Sequence, residues 1–515
     1  MDTTPYWMAS GHLPQFDSIQ NDVDVDVAIV GGGLTGITAA YLLKKAGAKV
    51  ALIDRQRCAS ADTGHTTAHL TMVTDLRLHQ VVKKFGKDCG KAFWDAGAVA
   101  IDQIHDIVRT ENIRCDFKWV PGYLHASLRD RGGTSERENL QRDAELGSEL
   151  GFGTEFVEVV PYCNKPGVRF PHQAKFHPRQ YLAALLKTIP GNGSHVFENS
   201  EVTEFEEKPL TLKVGGKKVR CEFQFIATHN PLMGNKNAIT AALFQTKLSL
   251  YTSYVLGAKI PAGAVPEALF WDTTEPYYYL RIDRHEDDDY AIFGGEDCKT
   301  VQEDDPVAVF TRLEEEMKKW LPMAEVKHRW LGQVVETNDG LPFIGETAER
   351  QFVATGFCGN GFTLGTLAAM MARDQFLNRP NPWRDLLDVH RKKLLGGTWR
   401  YITENADFPY YFLRDRLAKA EDDSTENIAR GEGKIVKLDG KKVAAYRDER
   451  GKLTLLSPVC THLKCIVKWN DADKMWDCPC HGSRFKATGE VFSGPAEEPL
   501  EKCEKVQAQF NPVSH

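Results

Sequence analysis

An apolar run, VDVAIV, ends at Val30 and gives way to a glycine-rich stretch, Gly31-Gly32-Gly33-Leu34-Thr35-Gly36. ITAAYLLKKAG follows, and then a second apolar run, KVALID, which ends at Asp54. Short apolar runs bounded by glycine predict strands, and the stretch between them predicts a helix stopped by Gly47. Farther along, YYYLRID (Tyr277 to Asp283) predicts a strand whose alternation puts Tyr277, Tyr279 and Arg281 on one face. The acidic run HEDDDY (His285 to Tyr290) predicts a solvated hairpin turn. RDRLAKAEDDSTENIARGEG, from Arg414 to Gly433, is polar and charged, the pattern of a linker. After it, KIVKLDGKKVAAYRDERGKLTLL alternates apolar and polar positions around GK and RG turns, which predicts a small antiparallel β domain. The expected organisation is a tail over 1–23, a composite body over 24–410, a linker over 411–431 and a small domain over 432–515.

Composition narrows the class. A chain of 515 residues suits about three domains, or one large composite domain and a small one. Hydrophobic content of 42% against 26% charged is ordinary for a water-soluble globular chain. No apolar run approaches the ~18 residues of a membrane-spanning helix. The N-terminus lacks the basic and apolar regions of a signal peptide. A formal charge of −7 and no concentrated basic face argue against nucleic acid as a partner. Of twelve cysteines, four fall between Cys460 and Cys480, and the other eight are scattered without pairing spacing. That scatter suits a reducing compartment, and a cytoplasmic protein is the expectation.

Two segments carry chemistry. The first is the strand, glycine-rich turn, helix and second strand around Gly31, with an acid eighteen residues beyond Gly36. This is the context a dinucleotide-binding fingerprint requires. Gly31 permits the tight turn, Gly33 lets the backbone approach a pyrophosphate, and Gly36 lets helix pack closely on strand. The helix N-terminus offers N–H groups and a positive dipole to phosphates, and Asp54 can accept hydrogen bonds from a ribose.

The second segment is CTHLKCIVKWNDADKMWDCPCH, from Cys460 to His481. Cys460-x-His462 and Cys478-x-x-His481 stand fifteen residues apart, each box supplying one thiolate and one imidazole. A Rieske [2Fe–2S] centre uses that mixture, with two His replacing two Cys on one iron. A tetrahedral zinc site uses it too, but leaves Cys465 and Cys480 without a role.

Both boxes resemble the Rieske proteins of respiratory cytochrome bc complexes, whose pattern is CTHLGC and CPCHGS. The resemblance covers roughly the last 85 residues. It implies Cys460, His462, Cys478 and His481 as cluster ligands and Cys465–Cys480 as a disulfide bracing the two loops. Such a disulfide stands in tension with a reducing cytoplasm. Ser483 is kept, and in the family its hydroxyl bonds a cluster sulfide. Phe485 stands where the high-potential family has Tyr, whose hydroxyl donates to a ligand sulfur. A lost donor disfavours the more negative reduced state, so the expected potential lies below that of the respiratory proteins. Lys464 replaces a Gly of the first box and adds a charge there.

The larger body resembles the D-amino-acid oxidase and glycine oxidase superfamily of flavoproteins over roughly residues 24–380. Three stretches carry the resemblance: FHPRQYLAALLKTI from Phe176, TNDGLPFIG (Thr337 to Gly345) and ATGFCGNGFTLGTLAAMMARD (Ala354 to Asp374). The implied fold is an α/β dinucleotide-binding (Rossmann-like, DAO-type) flavoprotein with a mixed-sheet substrate domain, plus a small all-β Rieske domain. The implied cofactors are FAD and a Rieske-type [2Fe–2S] cluster. Gly31, Gly33, Leu34, Thr35, Gly36, Asp54, Arg55 and Val202 are the expected FAD contacts on the dinucleotide side. Thr66 and Thr67 join them from ADTGHTTAHLT, where the family has a loop beside the flavin. Gly359, Asn360, Gly361 and Phe362 would open a second helix toward the flavin's pyrimidine edge. Some relatives attach flavin through a His in the ADTGHTTAHLT loop; His65 lies one position out of register, so dissociable FAD is expected. His65 and His69 are four apart but lack the carboxylate support a metal site needs.

The function these parts imply is dehydrogenation of a small amine or amino acid by hydride transfer to FAD. Electrons then leave singly through the cluster to an external acceptor, a redox protein or a quinone. The rivals are an oxidase that uses O₂ with a structural or regulatory cluster, and a non-enzymatic electron-transfer or redox-sensor protein. A Rieske oxygenase would need two His and a carboxylate on a separate iron; Arg169 stands before His172 and His177 where an acid is required. For the substrate, Arg281 could hold a carboxylate and Tyr279 could line the pocket, with His125, His172 and His177 available as bases.

Overall fold

Val27, Ala28, Ile29 and Val30 are all buried, as a strand covered on both faces requires. This strand, β1 (Val27–Val30), leads through the glycine turn into helix α1 (Leu34–Lys45) and returns as β2 (Val50–Ile53). The computed structural model describes residues 3–128, 134–229, 247–300, 303, 305–391, 422, 424–462, 464–479, 482–493, 496 and 498–503. β1 pairs in parallel with β2 and with Phe223–Ile226. His195–Phe197, Gln351–Thr355 and Phe343–Ala348 complete a six-stranded sheet. Every residue of α1 from Leu34 to Leu43 is buried, because the helix lies between this sheet and a second helix, α2 (Gly361–Phe376).

A nine-stranded mixed sheet forms the other half of the body. Its long strands are β3 (Leu248–Pro261), β4 (Tyr279–Asp283), β5 (Asp288–Lys299) and β6 (Glu325–Thr337), in the order β6-β3-β5-β4. The hairpin expected at HEDDDY joins β4 to β5. Asp289 departs from the solvated reading: it is fully buried and paired with Arg284 and the Gly263 amide.

The C-terminal unit is all β and antiparallel, a three-stranded sheet over 432–456 and a four-stranded sheet over 468–493. Cys460 lies on the connection between the sheets, and Cys478 follows the strand Met475–Asp477.

Two expected boundaries change. The tail over 1–23 is structural: Tyr6–Ser10 is helical, and Trp7 is 1% exposed with its Nε1 donating to Thr66 O at 2.7 Å. A single tryptophan without apolar periodicity leaves no pattern to read. The end of the expected linker also belongs to the small domain, because Ile428 packs against Val436, Val443 and Leu455. Most of the remaining linker lies outside the described residues.

Candidate functional site

One cavity of about 560 Å³ runs between the two sheets of the body. The glycine turn forms one end of it. Gly31 has φ +105°, and a Cβ there would stand 2.4 Å from Ala227 O. At Gly36 a Cβ would stand 1.9 Å from Gly31 O. No side chain can enter this cradle, so backbone can approach a phosphate. Neither helix N-terminus at the cavity is capped by its own N-cap side chain, Gly33 for α1 and Asn360 for α2, which leaves both dipoles facing the space. Asp54 accepts from Gly32 N at 2.6 Å and from Gln56 N at 2.7 Å, and burial pushes its carboxyl upward. These features fit a dinucleotide.

The expected residues divide as follows. Gly31, Gly33, Leu34, Thr35, Asp54, Arg55, Thr66, Thr67, Val202, Gly359, Asn360 and Gly361 all line the cavity. Gly36 sits behind the wall as a packing residue. Phe362 is a correction: it is 2% exposed and packs edge-on against Phe176, with ring centroids 5.0 Å apart. One residue into a helix, a side chain turns with the helix into the core.

Arg281 is the larger correction. It is 2% exposed and outside the cavity wall. Its Nε bonds Asp283, its Nη1 bonds Thr67 O and Ala68 O, and its Nη2 bonds Phe176 O, all within 3.1 Å. The guanidinium also lies 5.0 Å from the Trp7 ring. Arg281 therefore clamps the loop beneath Thr66 and Thr67. Arg281→Ala should cost about 3–5 kcal/mol, because it leaves three backbone carbonyls without their donor and removes one of the two cations, with Lys175, that pair Asp283. A thermal melt with little shift would contradict that role.

Tyr279 does line the cavity, its hydroxyl 2.9 Å from Ser253 Oγ. The three histidines offered as bases lie elsewhere. His125 is buried against Trp320, His172 is exposed, and His177 accepts from Gln180 N as a helix cap. His65 and His69 are in the wall, and burial pushes His69 down to about 3, so its ring is neutral. Asp297, Gln333 and Glu336 also line the cavity, and strand pattern alone singled out none of them.

The cysteine boxes share one buried cluster. Cys460, Cys465 and Cys478 pack together with Phe485 and Trp476. Cys460 N donates to Cys465 O at 2.8 Å, and Cys478 N to Ser483 O at 2.7 Å, closing a tight loop at each box. Cys460 and Cys478 are outside any disulfide. Burial lowers His462 to about 4 and keeps its ring in the neutral form that ligates metal. Ser483 Oγ accepts from Ala496 N at 3.1 Å, which leaves its proton to donate. These residues fit an iron–sulfur cluster. His481 and Cys480 lie outside the described residues. Phe485 is fully buried in the same cluster as Cys460 and Cys478, at the position where the Rieske resemblance implies a Tyr hydroxyl bonding a ligand sulfur. Phe485→Tyr should raise the potential: a net hydrogen bond of about 1 kcal/mol is on the order of 40 mV in a one-electron couple. An unchanged or lower midpoint in a redox titration would count against this geometry.

The two halves touch at the cavity. Phe492, Ser493 and Ala496 of the C-terminal domain line it beside Asp54, Arg55 and His65. Arg55 Nη2 donates to Phe492 O and Gln56 Nε2 to Val491 O, each at 3.0 Å. Gln333 Nε2 donates to Gly482 O at 2.9 Å, and the Ser493 hydroxyl approaches Gln333 Oε1 at 3.4 Å.

Fold and site together define a flavin-dependent oxidoreductase that carries a Rieske domain. The family model for FAD dependent oxidoreductases (DAO) matches residues 26–375, and the Rieske [2Fe-2S] domain model matches residues 419–504. The chain belongs to the FAD-dependent oxidoreductase family; its first domain binds FAD and its second a [2Fe–2S] cluster. YhfW of Bacillus subtilis, named for its Rieske 2Fe-2S iron–sulfur character, is 32% identical over 97% of both chains. The γ-glutamylputrescine oxidoreductase of Escherichia coli is 22% identical over 81% of this chain and 99% of its own. Glycine oxidase from Geobacillus kaustophilus superposes with a TM-score of 0.60 at 17% identity, covering 72% of this chain and all of that one. Among the described residues no helix is long and apolar enough to cross a membrane.

Proposed function

We propose that the protein is a dehydrogenase of small amines or amino acids whose electrons leave through its own Rieske cluster. The observation that carries this reading is the shared cavity. Residues of the cluster domain close the space that the dinucleotide turn opens, and Gln333 ties that wall to Gly482, the neighbour of His481. FAD supplies two-electron oxidation of substrate and one-electron delivery to a cluster. The chain's own residues hold the two sites together, so the transfer is intramolecular. Arg55 and Gln56 anchor the strand Val491–Ser493, while Phe492 and Ser493 help keep water from the cavity. The Cys465–Cys480 brace belongs to this proposal, as does cytoplasmic residence. The external acceptor is a redox protein or a quinone.

The test is anaerobic mixing of oxidised protein with amines and amino acids, following flavin absorbance and the cluster's EPR signal. Bleaching followed by a Rieske signal, at a rate independent of protein concentration, is the expected result. Bleaching with a silent cluster would overturn the exit route and favour an oxidase. Gln333→Leu should slow cluster reduction, because it leaves the Gly482 carbonyl short of its donor at a cost of about 1–3 kcal/mol. Each 1.4 kcal/mol lost from the docked arrangement is roughly tenfold in its population. Cluster reduction at the unaltered rate in this variant would show that the contact does not position the cluster.

A further inference from the structure

Strands β3, β4 and β5 bring Ser253, Tyr279 and Asp297 into one stretch of the cavity wall. Tyr279 and Ser253 hydroxyls lie 2.9 Å apart, and Asp297 lies beside them. Asp297 Oδ1 is buried and has no hydrogen-bond partner among the described residues. A buried carboxylate oxygen left in that condition is costly. Burial, with Glu336 and Glu296 nearby, raises Asp297 to about 7, which is the same cost expressed as proton affinity.

The cations of the wall do not answer this charge. No lysine lines the cavity among the described residues. Arg55 bonds Phe492 O, Arg57 pairs with Glu198 at 2.6 Å, and Arg77 pairs with Asp143. Arg281, the residue whose sequence position suggested a carboxylate clamp, is occupied beneath the loop. Among the described residues the wall therefore holds no guanidinium set for a substrate carboxylate, and it holds a carboxylate without a cation partner.

We propose that the cavity takes a cationic amine bearing no carboxylate, and that Asp297 Oδ1 accepts the hydrogen bond of its ammonium group. This rests on the dehydrogenase reading and narrows its substrate class to amines.

The test is a binding titration of oxidised, FAD-loaded, full-length protein with n-butylguanidinium and, separately, n-butyrate, read as perturbation of the flavin spectrum. Saturable binding of n-butylguanidinium, weakened by roughly tenfold or more in Asp297→Asn, is expected. Asp297→Glu should keep part of the affinity, and n-butyrate should bind far more weakly to the wild type. FAD content and the cluster's EPR signal confirm that each variant is folded. Equal n-butylguanidinium affinity in Asp297→Asn would overturn the proposal, as would n-butyrate binding as tightly as the cation. The wild-type comparison of the two probes decides the matter if the Asn variant fails to retain FAD. Because binding needs no turnover, Asp297-dependent cation binding without flavin bleaching by any amine or amino acid would remove only the dehydrogenase reading.

Discussion

Cys478→Ser should yield a protein that holds FAD, bleaches with substrate and passes no electrons onward. Cys478 is 1% exposed, and its backbone amide bonds Ser483 O, so the sulfur is held by the loop itself. A serine hydroxyl keeps the loop geometry and removes the thiolate. Loss of an outer partner alone costs metal sites about 10–100-fold, so loss of a ligand should lower cluster occupancy by more than ~100-fold. The cluster domain is small, with two sheets of short strands and a limited apolar core. Domains of that size lean on a bound metal centre for stability. The variant's C-terminal domain should therefore unfold at a lower temperature, while the body, with its far larger core, keeps its own transition. Iron content, EPR and a two-transition melt check each part. A cluster retained at wild-type occupancy would remove Cys478 from the ligand set.

Gly36→Val should weaken FAD binding roughly 100-fold at the other end of the molecule. A Cβ at Gly36 meets Gly31 O at 1.9 Å and Ile29 Cγ2 at 3.3 Å, so α1 must move away from β1. All of β1 and the α1 residues from Leu34 to Leu43 are buried, and overpacking of this kind costs about 1–3 kcal/mol. That displacement also withdraws the α1 N-terminus and reshapes the Gly31 turn. With about 3 kcal/mol lost from the bound state alone, FAD affinity falls by roughly 100-fold. Gly33→Ala is the informative companion. Gly33 has φ −77°, which alanine adopts freely, and its Cβ would meet Thr63 Oγ1 at 3.1 Å. It should fold normally and lose affinity only through the methyl group placed between backbone and pyrophosphate. FAD fluorescence titrations and melts of both variants separate the two effects. Wild-type FAD affinity in Gly36→Val would contradict the close-packing role.

What could be read along the chain was whatever depends on short spacing. The glycine turn between β1 and α1 was legible because its constraint is local: the backbone of Gly36 must pass that of Gly31, five positions back. The cysteine boxes were legible because thiolates and imidazoles at those intervals have few other uses. The small β domain was visible in its alternation and turns, such as Asp439-Gly440, where both residues hold positive φ. Tertiary structure alone decided the contacts made across long stretches of chain. Arg281 reaches Thr67 across 214 residues and becomes a clamp instead of a substrate ligand. Trp7 reaches Thr66 across 59 residues and turns an expected tail into a support for the same loop. Gln333 reaches Gly482 across 149 residues and joins the cluster domain to the cavity wall. The physical reason is common to all three. A polar or aromatic side chain takes its role from the partner that satisfies it once buried, and only folding brings that partner near.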